Sequence, residues 1–299
     1  MDSVRLGELA AAGTAVLWTL SAVAWTSAGP RIGALAVSFL RLPITCVFLA
    51  TYGGLVRGLW LPTDASAWTW SVLGVSGFVG FFLSDLCLFK AFLLIGTRLS
   101  LLIQSIAPPI TAILAWLWLD QGLPDLQWLA MTVTIAGVAW VVLERQDDGG
   151  ETPTARRRRL GIWLAVLAAV GQAVGMVLSK AGLADYDPVA ATFIRILGAM
   201  IGYLVLITVV RRWKAMRTAA AHARAMAIVL FGALVGPFLG VALCMVALQH
   251  SHPGVTATII STTPVLILPF AILMYREKVS LRAAGGAALT VVGVALLAL

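Results

Sequence analysis

From Glu8 onward the chain reads as ten successive apolar runs, 8–28, 33–56, 67–93, 97–119, 125–143, 160–180, 188–210, 224–248, 253–275 and 281–299, parted by short stretches that hold the charges and turn residues. A helix crosses the hydrocarbon core of a bilayer in about 20 residues, and each run meets that length. Barrel strands would need only about ten residues of alternating polarity; these runs are twice as long and do not alternate. Backbone polar groups in lipid must be satisfied within the segment. The expectation is therefore an all-α integral membrane fold of ten transmembrane helices. With 61% apolar and 11% charged residues, nothing is left for a sizeable soluble domain. The first run is too long for a secretory signal.

The strongest polar break lies at the middle, from Glu144 to Arg159, and the two sides of it match. At a shift of 154, Arg5-Leu6-Gly7 falls on Arg159-Leu160-Gly161 and Phe39-Leu40-Arg41 on Phe193-Ile194-Arg195. Pro109 meets Pro264 at a shift of 155, and Gly137-Val138-Ala139 meets Gly293-Val294-Ala295 at 156. Both third runs carry spaced glycines, Gly74, Gly77 and Gly80, then Gly232, Gly236 and Gly240. The organisation read from this is a five-helix repeat over 1–143, a basic linker over 144–159 and a second repeat over 160–299. An odd number of spans makes the second copy enter from the opposite side. Inverted repeats of this kind belong to alternating-access transporters.

Lysines and arginines are retained on the cytoplasmic side. Connections after odd-numbered runs hold 16 of them; the N-terminus and the connections after even-numbered runs hold Arg5, Arg57 and Lys180. Both termini are thus expected in the periplasm. The net charge of +8 flanks apolar runs without interleaved aromatics, which is a topology signal and not a nucleic-acid surface. The three cysteines have no paired or metal-ligand spacing, and His250 and His252 lack a third ligand. His-Glu-x-x-His, Gly-x-Ser-x-Gly and phosphate-cradling motifs are missing, so neither an enzyme nor a bound cofactor is expected.

Polar residues inside the runs are the candidates for chemistry. Thr14, Trp18, Ser21 and Trp25 follow i, i+4, i+7, i+11 and share one helical face; the same positions in the second repeat hold Ala168, Gln172, Gly175 and Ser179. Gln104 shares a face with Ser100, Pro108 and Thr111, and the ninth run has Ser261, Thr262, Thr263 and Pro264. The substrate-binding set read from this is Trp18, Ser21, Trp25, Gln104, Gln172, Ser179, Ser261 and Thr262. Pro108, Pro109 and Pro264 each remove a helical hydrogen bond and leave a carbonyl free, as hinges or static kinks. Arg41 and Arg195 either pair with carboxylates of a substrate or gate, or snorkel toward helix ends. Asp85 is the one plausible buried acid and a candidate for coupling, or else an interfacial residue.

The twice-repeated five-helix unit, an arginine in each second helix, a proline in each fourth, and Tyr275-Arg276-Glu277 before a glycine-rich last helix resemble the drug/metabolite transporter superfamily, in particular its ten-helix EamA-type bacterial exporters. The first-half partner of the Glu277 motif is the degenerate Asp120-Gln121-Gly122. The resemblance implies a multi-pass protein of the bacterial inner membrane that exports amino acids, other small metabolites or drugs through a cavity between the repeats. Two tryptophans and few buried acids favour neutral and aromatic amino acids. A multidrug or cation exporter is the alternative, then a channel or an intramembrane enzyme. The expected partners are a small-molecule substrate and the lipid bilayer, with the chain acting as a monomer.

Overall fold

The computed structural model describes residues 3–144, 154–267 and 281–297. Among the described residues it is helical throughout, without strands. Eight helices are long and apolar enough to cross a membrane: α1 Ser3–Ile32, α2 Ala34–Arg57, α3 Ala67–Gly96, α4 Leu99–Leu119, α5 Asp125–Leu143, α6 Ala155–Leu183, α7 Pro188–Val209 and α8 Ala223–His250. Two shorter apolar helices follow, α9 Pro253–Ile267 and α10 Ala284–Leu297. Tyr275, Arg276 and Glu277 lie outside the described residues.

The boundaries have local causes. Ser66 caps α3 by accepting from the Thr69 amide, Asp187 caps α7 by accepting from Ala190, and Pro188 and Pro253 open their helices where a missing N–H costs nothing. Helix α6 already begins at Ala155, so the four arginines expected in a linker form its first turn. The reason is electrostatically permissive: the turn projects beyond the apolar run, and all four side chains are exposed.

Packing runs mainly between the halves. Helix α1 lies along α8, α3 along α6 and α7, α2 along α7, α4 along α9, and α5 along α10. The core is correspondingly made of both halves: Leu42 and Leu49 of α2 cluster with Ile196, Tyr203 and Ile207 of α7 and Val229 of α8. Glycines permit the closest approaches. A side chain on Gly77 would run into the Arg195 carbonyl, one on Gly198 into the Gly74 carbonyl, and one on Gly175 would lie 2.7 Å from the Gly80 Cα.

Two irregularities recur in both halves. Helices α3 and α8 each contain a π-helical turn, Phe78–Leu83 and Leu234–Gly240, which re-aims the side chains around it. Helices α4 and α9 are broken by turns at Ser105–Ile106 and Ser261–Thr262, 156 positions apart. Pro108, Pro109 and Pro264 therefore stand in the first turn of a second helical segment and not in a helix interior. The expectation of kinks at interior prolines is corrected accordingly, and by place in the break Pro108, not Pro109, matches Pro264. The carbonyls here are occupied. Thr263 Oγ1 donates to the Ile260 carbonyl, the one Pro264 cannot serve, at 2.7 Å; Thr262 and Ser261 donate to Ile259 and Thr258, each at 2.7 Å.

Candidate functional site

The stripe of α1 and the glycines of α8 belong together. Side chains added at Gly232, Gly236 and Gly240 would strike Trp25, Ser21 and Trp18 respectively, so this glycine face is the seat of the stripe. Seated there, the three residues form one wall of a cavity of about 330 Å³ in the middle of the molecule. The π turns supply parts of two more walls, Gly80 and Phe81 from α3 and Gly236 and Pro237 from α8. Helix α6 adds Gln172 and Met176, α8 adds Cys244, and α9 adds Thr263.

The charged groups are Arg41, Asp85 and Arg195. Arg41 Nη2 lies 2.6 Å from Asp85 Oδ2, with side chains 17% and 26% exposed, and its guanidinium lies over the Trp25 ring at 5.5 Å. Asp85 is thus a cavity residue rather than an interfacial one, because the π turn just before it rotates the rest of α3 inward. Arg195 is 4% exposed. Its Nε donates to Ser76 Oγ at 3.0 Å, and its guanidinium lies 4.3 Å from the Phe81 ring centre. Among the described residues no carboxylate lies within ion-pair distance of it. Backbone contact with Gly77 and a ring at van der Waals range hold this cation in place.

Of the residues singled out from the sequence, Trp18, Ser21, Trp25, Gln172, Arg41, Arg195 and Asp85 line the cavity. Gln104 stands behind Gln172 and donates its amide to the Gln172 oxygen. The Gln104 Oε1 is buried without a hydrogen-bond partner. Ser179 does not reach the cavity: it meets Ser76 Oγ at 2.7 Å at the α3–α6 contact. Ser261 and Thr262 also stay outside, turned back onto their own helix, and Thr263 takes the place expected of them. Pro108, Pro109 and Pro264 lie away from the cavity wall. Sequence reasoning missed Phe81, Ser84 and Pro237, for nothing in the periodicity of α3 or α8 announces a π turn, and it missed Met176, although that residue lies one turn after Gln172 on the same face of α6.

A second polar cluster sits at the end of the molecule opposite the main basic face. Arg57 pairs with Asp64 at 2.5 Å and reaches Asp187 at 3.8 Å, and the Tyr186 hydroxyl donates to Asp64 at 2.8 Å. Partial burial would raise the Asp64 carboxyl, but the Tyr186 hydroxyl, its own backbone amide and Arg57 together hold it below the usual 3.8. Burial and then the bond to Asp64 push Tyr186 up to about 12. Nearby, Lys180 donates to the carbonyls of Leu248, Gln249 and Ser251, covering the C-terminal end of α8. His252 is not an idle loop residue. Its Nδ1 accepts from Gly254 at 3.0 Å, so Nε2 donates to the Gln121 carbonyl at 2.9 Å; burial lowers its pKa and keeps the ring neutral. The signal was present in the charge count: two of the three basic residues on this side, Arg57 and Lys180, are the ones engaged here.

No curated protein matches the sequence. A crystal structure of a protein 18% identical to it covers 97% of this chain and 94% of its own, with a TM-score of 0.77, and has the same fold. The EamA-like transporter family model matches twice, over residues 5–143 and 159–299, which together span nearly everything described above. The chain is a multi-pass membrane transporter that belongs to the EamA-like family of the drug/metabolite transporter superfamily.

Proposed function

We propose that this transporter exports zwitterionic amino acids, aromatic ones included, by alternating access through the central cavity, and that a single chain is the transporting unit. The reading takes the protein as ten spans in two inverted repeats in a bacterial inner membrane, with both termini periplasmic as the basic residues require. One observation carries the substrate class: Arg195, buried at the cavity without a described carboxylate partner. A buried cation held by neutral groups alone is costly, and an anion arriving within reach relieves that cost. A substrate carboxylate does so. The cavity of about 330 Å³ falls at the small end of ligand pockets, which span about 300–1,000 Å³.

The ammonium group needs acceptors. The carbonyls near Ser261 to Thr263 are taken by hydroxyls, so the better provision is the pair of cavity hydroxyls Ser21 and Ser84, which donate to the Trp18 and Ala168 carbonyls and keep lone pairs to accept with. Trp18, Trp25 and Phe81 offer the apolar surface for a side chain. A cationic drug fits less well, because Asp85 is already neutralised by Arg41. In this reading the Arg41–Asp85 pair is the coupling element: a proton on Asp85 breaks the pair and frees Arg41. The cluster of Arg57, Asp64, Tyr186 and Asp187 ties the α2–α3 connection to the α6–α7 connection and serves as the closed gate on its face.

Counterflow in proteoliposomes tests the substrate class. Wild-type protein is expected to exchange phenylalanine but not phenethylamine, which lacks the carboxylate, and Arg195→Gln to lose phenylalanine exchange at least tenfold. If the amine moved as fast as the amino acid, the cation reading would replace this one, and normal phenylalanine exchange by the variant would remove Arg195 as the carboxylate anchor.

A further inference from the structure

Where α1 and α7 end and α8 begins, the chain forms a basic recess. Its walls carry Arg31, Arg211, Arg212 and Lys214, with Thr218 and His222 at the rim, around a volume of about 550 Å³. Among the described residues none of these cations has a carboxylate within ion-pair distance. Arg211 stands at φ 53, where the Arg212 amide bonds back to the Ile207 carbonyl at 3.0 Å and the Arg211 amide to Thr208 at 3.2 Å. This is a helix-ending turn whose left-handed position ordinarily takes glycine. The turn sets Arg211 and Arg212 together on the recess wall.

The recess opens where the apolar spans of α1 and α7 end. The short helix Trp213–Ala220 buries Met216 and Ala219 against the α1, α2, α7 and α8 core and leaves its basic residues exposed. Trp213 packs edge-on against Phe39 and donates its indole N–H to Thr208. The helix thus turns its apolar face to the protein and its charges, Lys214 and Arg217, outward. Its floor is apolar, formed by Ile32, Ala215 and Ala219.

A second hollow adjoins the first. Between α1 and α8 an apolar groove of about 540 Å³, lined by Leu20, Val23, Ala24, Ile228 and Phe231, ends at Ser27 and Arg224. Ser27 lies one turn before Arg31, which donates to its carbonyl, and Arg224 lies two residues after His222. A basic recess with room for a whole headgroup thus continues into an apolar groove between α1 and α8.

We propose that this double hollow binds one anionic phospholipid, its phosphate held by Arg31, Arg211, Arg212 and Lys214 and an acyl chain laid between α1 and α8. A zwitterionic headgroup would bring its own ammonium into a recess that already holds four cations, which an anionic headgroup does not, and a free phosphate would leave the groove empty. The site lies apart from the central cavity and does not depend on what that cavity carries.

Native mass spectrometry of the full chain in detergent, supplied with phosphatidylglycerol or phosphatidylcholine, tests this. Wild type is expected to retain phosphatidylglycerol at least fivefold over phosphatidylcholine, and to be thermally stabilised by it alone. Arg211→Gln/Arg212→Gln should fall to the phosphatidylcholine level, and Ala24→Trp, which fills the groove, should weaken retention several-fold. Arg156→Gln/Arg157→Gln, with the same charge loss on exposed arginines at the start of α6, should retain wild-type binding. Arg31→Gln leaves the Arg211 turn untouched and stands in should the double variant misfold. Equal losses in both double variants would mean diffuse charge and overturn the site. Stabilisation by inorganic phosphate with no phosphatidylglycerol retained would make it a soluble-anion site and overturn the lipid assignment.

Discussion

At Gly175 and Gly74 one substitution has opposite expected signs. A Cβ on Gly175 would stand 2.7 Å from the backbone of Gly80, whereas one on Gly74 meets nothing within 4 Å. Alanine improves helix propensity by up to about 1 kcal/mol, but forcing a methyl against a neighbouring backbone costs about 1–3 kcal/mol. Gly175→Ala is expected to lower the melting temperature and displace the α3 wall of the cavity, and Gly74→Ala to leave stability level or slightly higher; thermal unfolding in detergent reads both. The Arg57–Asp64–Tyr186 cluster makes a pH prediction. Asp64 is lowered in the fold, so its contribution is present above its unfolded value and is lost as pH falls through the folded one. Tyr186 is raised, so its contribution is complete below the ordinary 10 and is lost as pH climbs toward about 12. The stability difference between wild type and Asp64→Asn should therefore stay flat between about pH 5 and pH 9 and close on acidification. A difference that peaked near neutrality would contradict the assigned bonds.

The broken helices make their prediction at the level of the element. In the first turn of a segment proline costs little, so the decisive group in α9 is the hydroxyl that covers the Ile260 carbonyl. Thr263→Val leaves that carbonyl without a donor, at about 1–3 kcal/mol. Pro264→Ala supplies an N–H at the position that would serve it. The double variant should therefore be more stable than Thr263→Val alone, and a double-mutant cycle by thermal unfolding should show positive coupling. Simple additivity would mean that the break, not the proline, keeps the amide away from the carbonyl.

For the molecule as a whole, contacts that run across the halves predict interdependence. Residues 1–143 and 154–299 expressed separately should each be degraded, because α1, α3 and α5 find their main partners in α8, α6 and α10. Expressed together they should copurify, and accumulation of either half alone in folded form would refute the claim. Topology is tested by fusions at the C-terminus: alkaline phosphatase should be active and green fluorescent protein dark. The reverse pair would place the basic face outside and invert the proposed orientation.

The length and spacing of apolar runs, read from residues alone, were enough for a helical membrane protein, because lipid leaves the backbone no other open-chain solution. Repetition of Arg41 as Arg195 and of the α1 face as Gln172 brought the α1 wall and the arginines of the cavity within reach, since buried polar groups in lipid stand out against an apolar background. Tertiary structure alone decided which polar residues face each other. Asp85 meets Arg41 and Arg195 meets no described acid because two π turns and a run of glycines set helix rotations that no 3.6-residue period encodes. Ser179, Ser261 and Thr262 look the same in sequence as Ser21 and Thr263. All of them donate to a carbonyl of their own helix, and a rotation of a single residue's angle about the helix axis, about 100°, separates those at the cavity wall from those outside it.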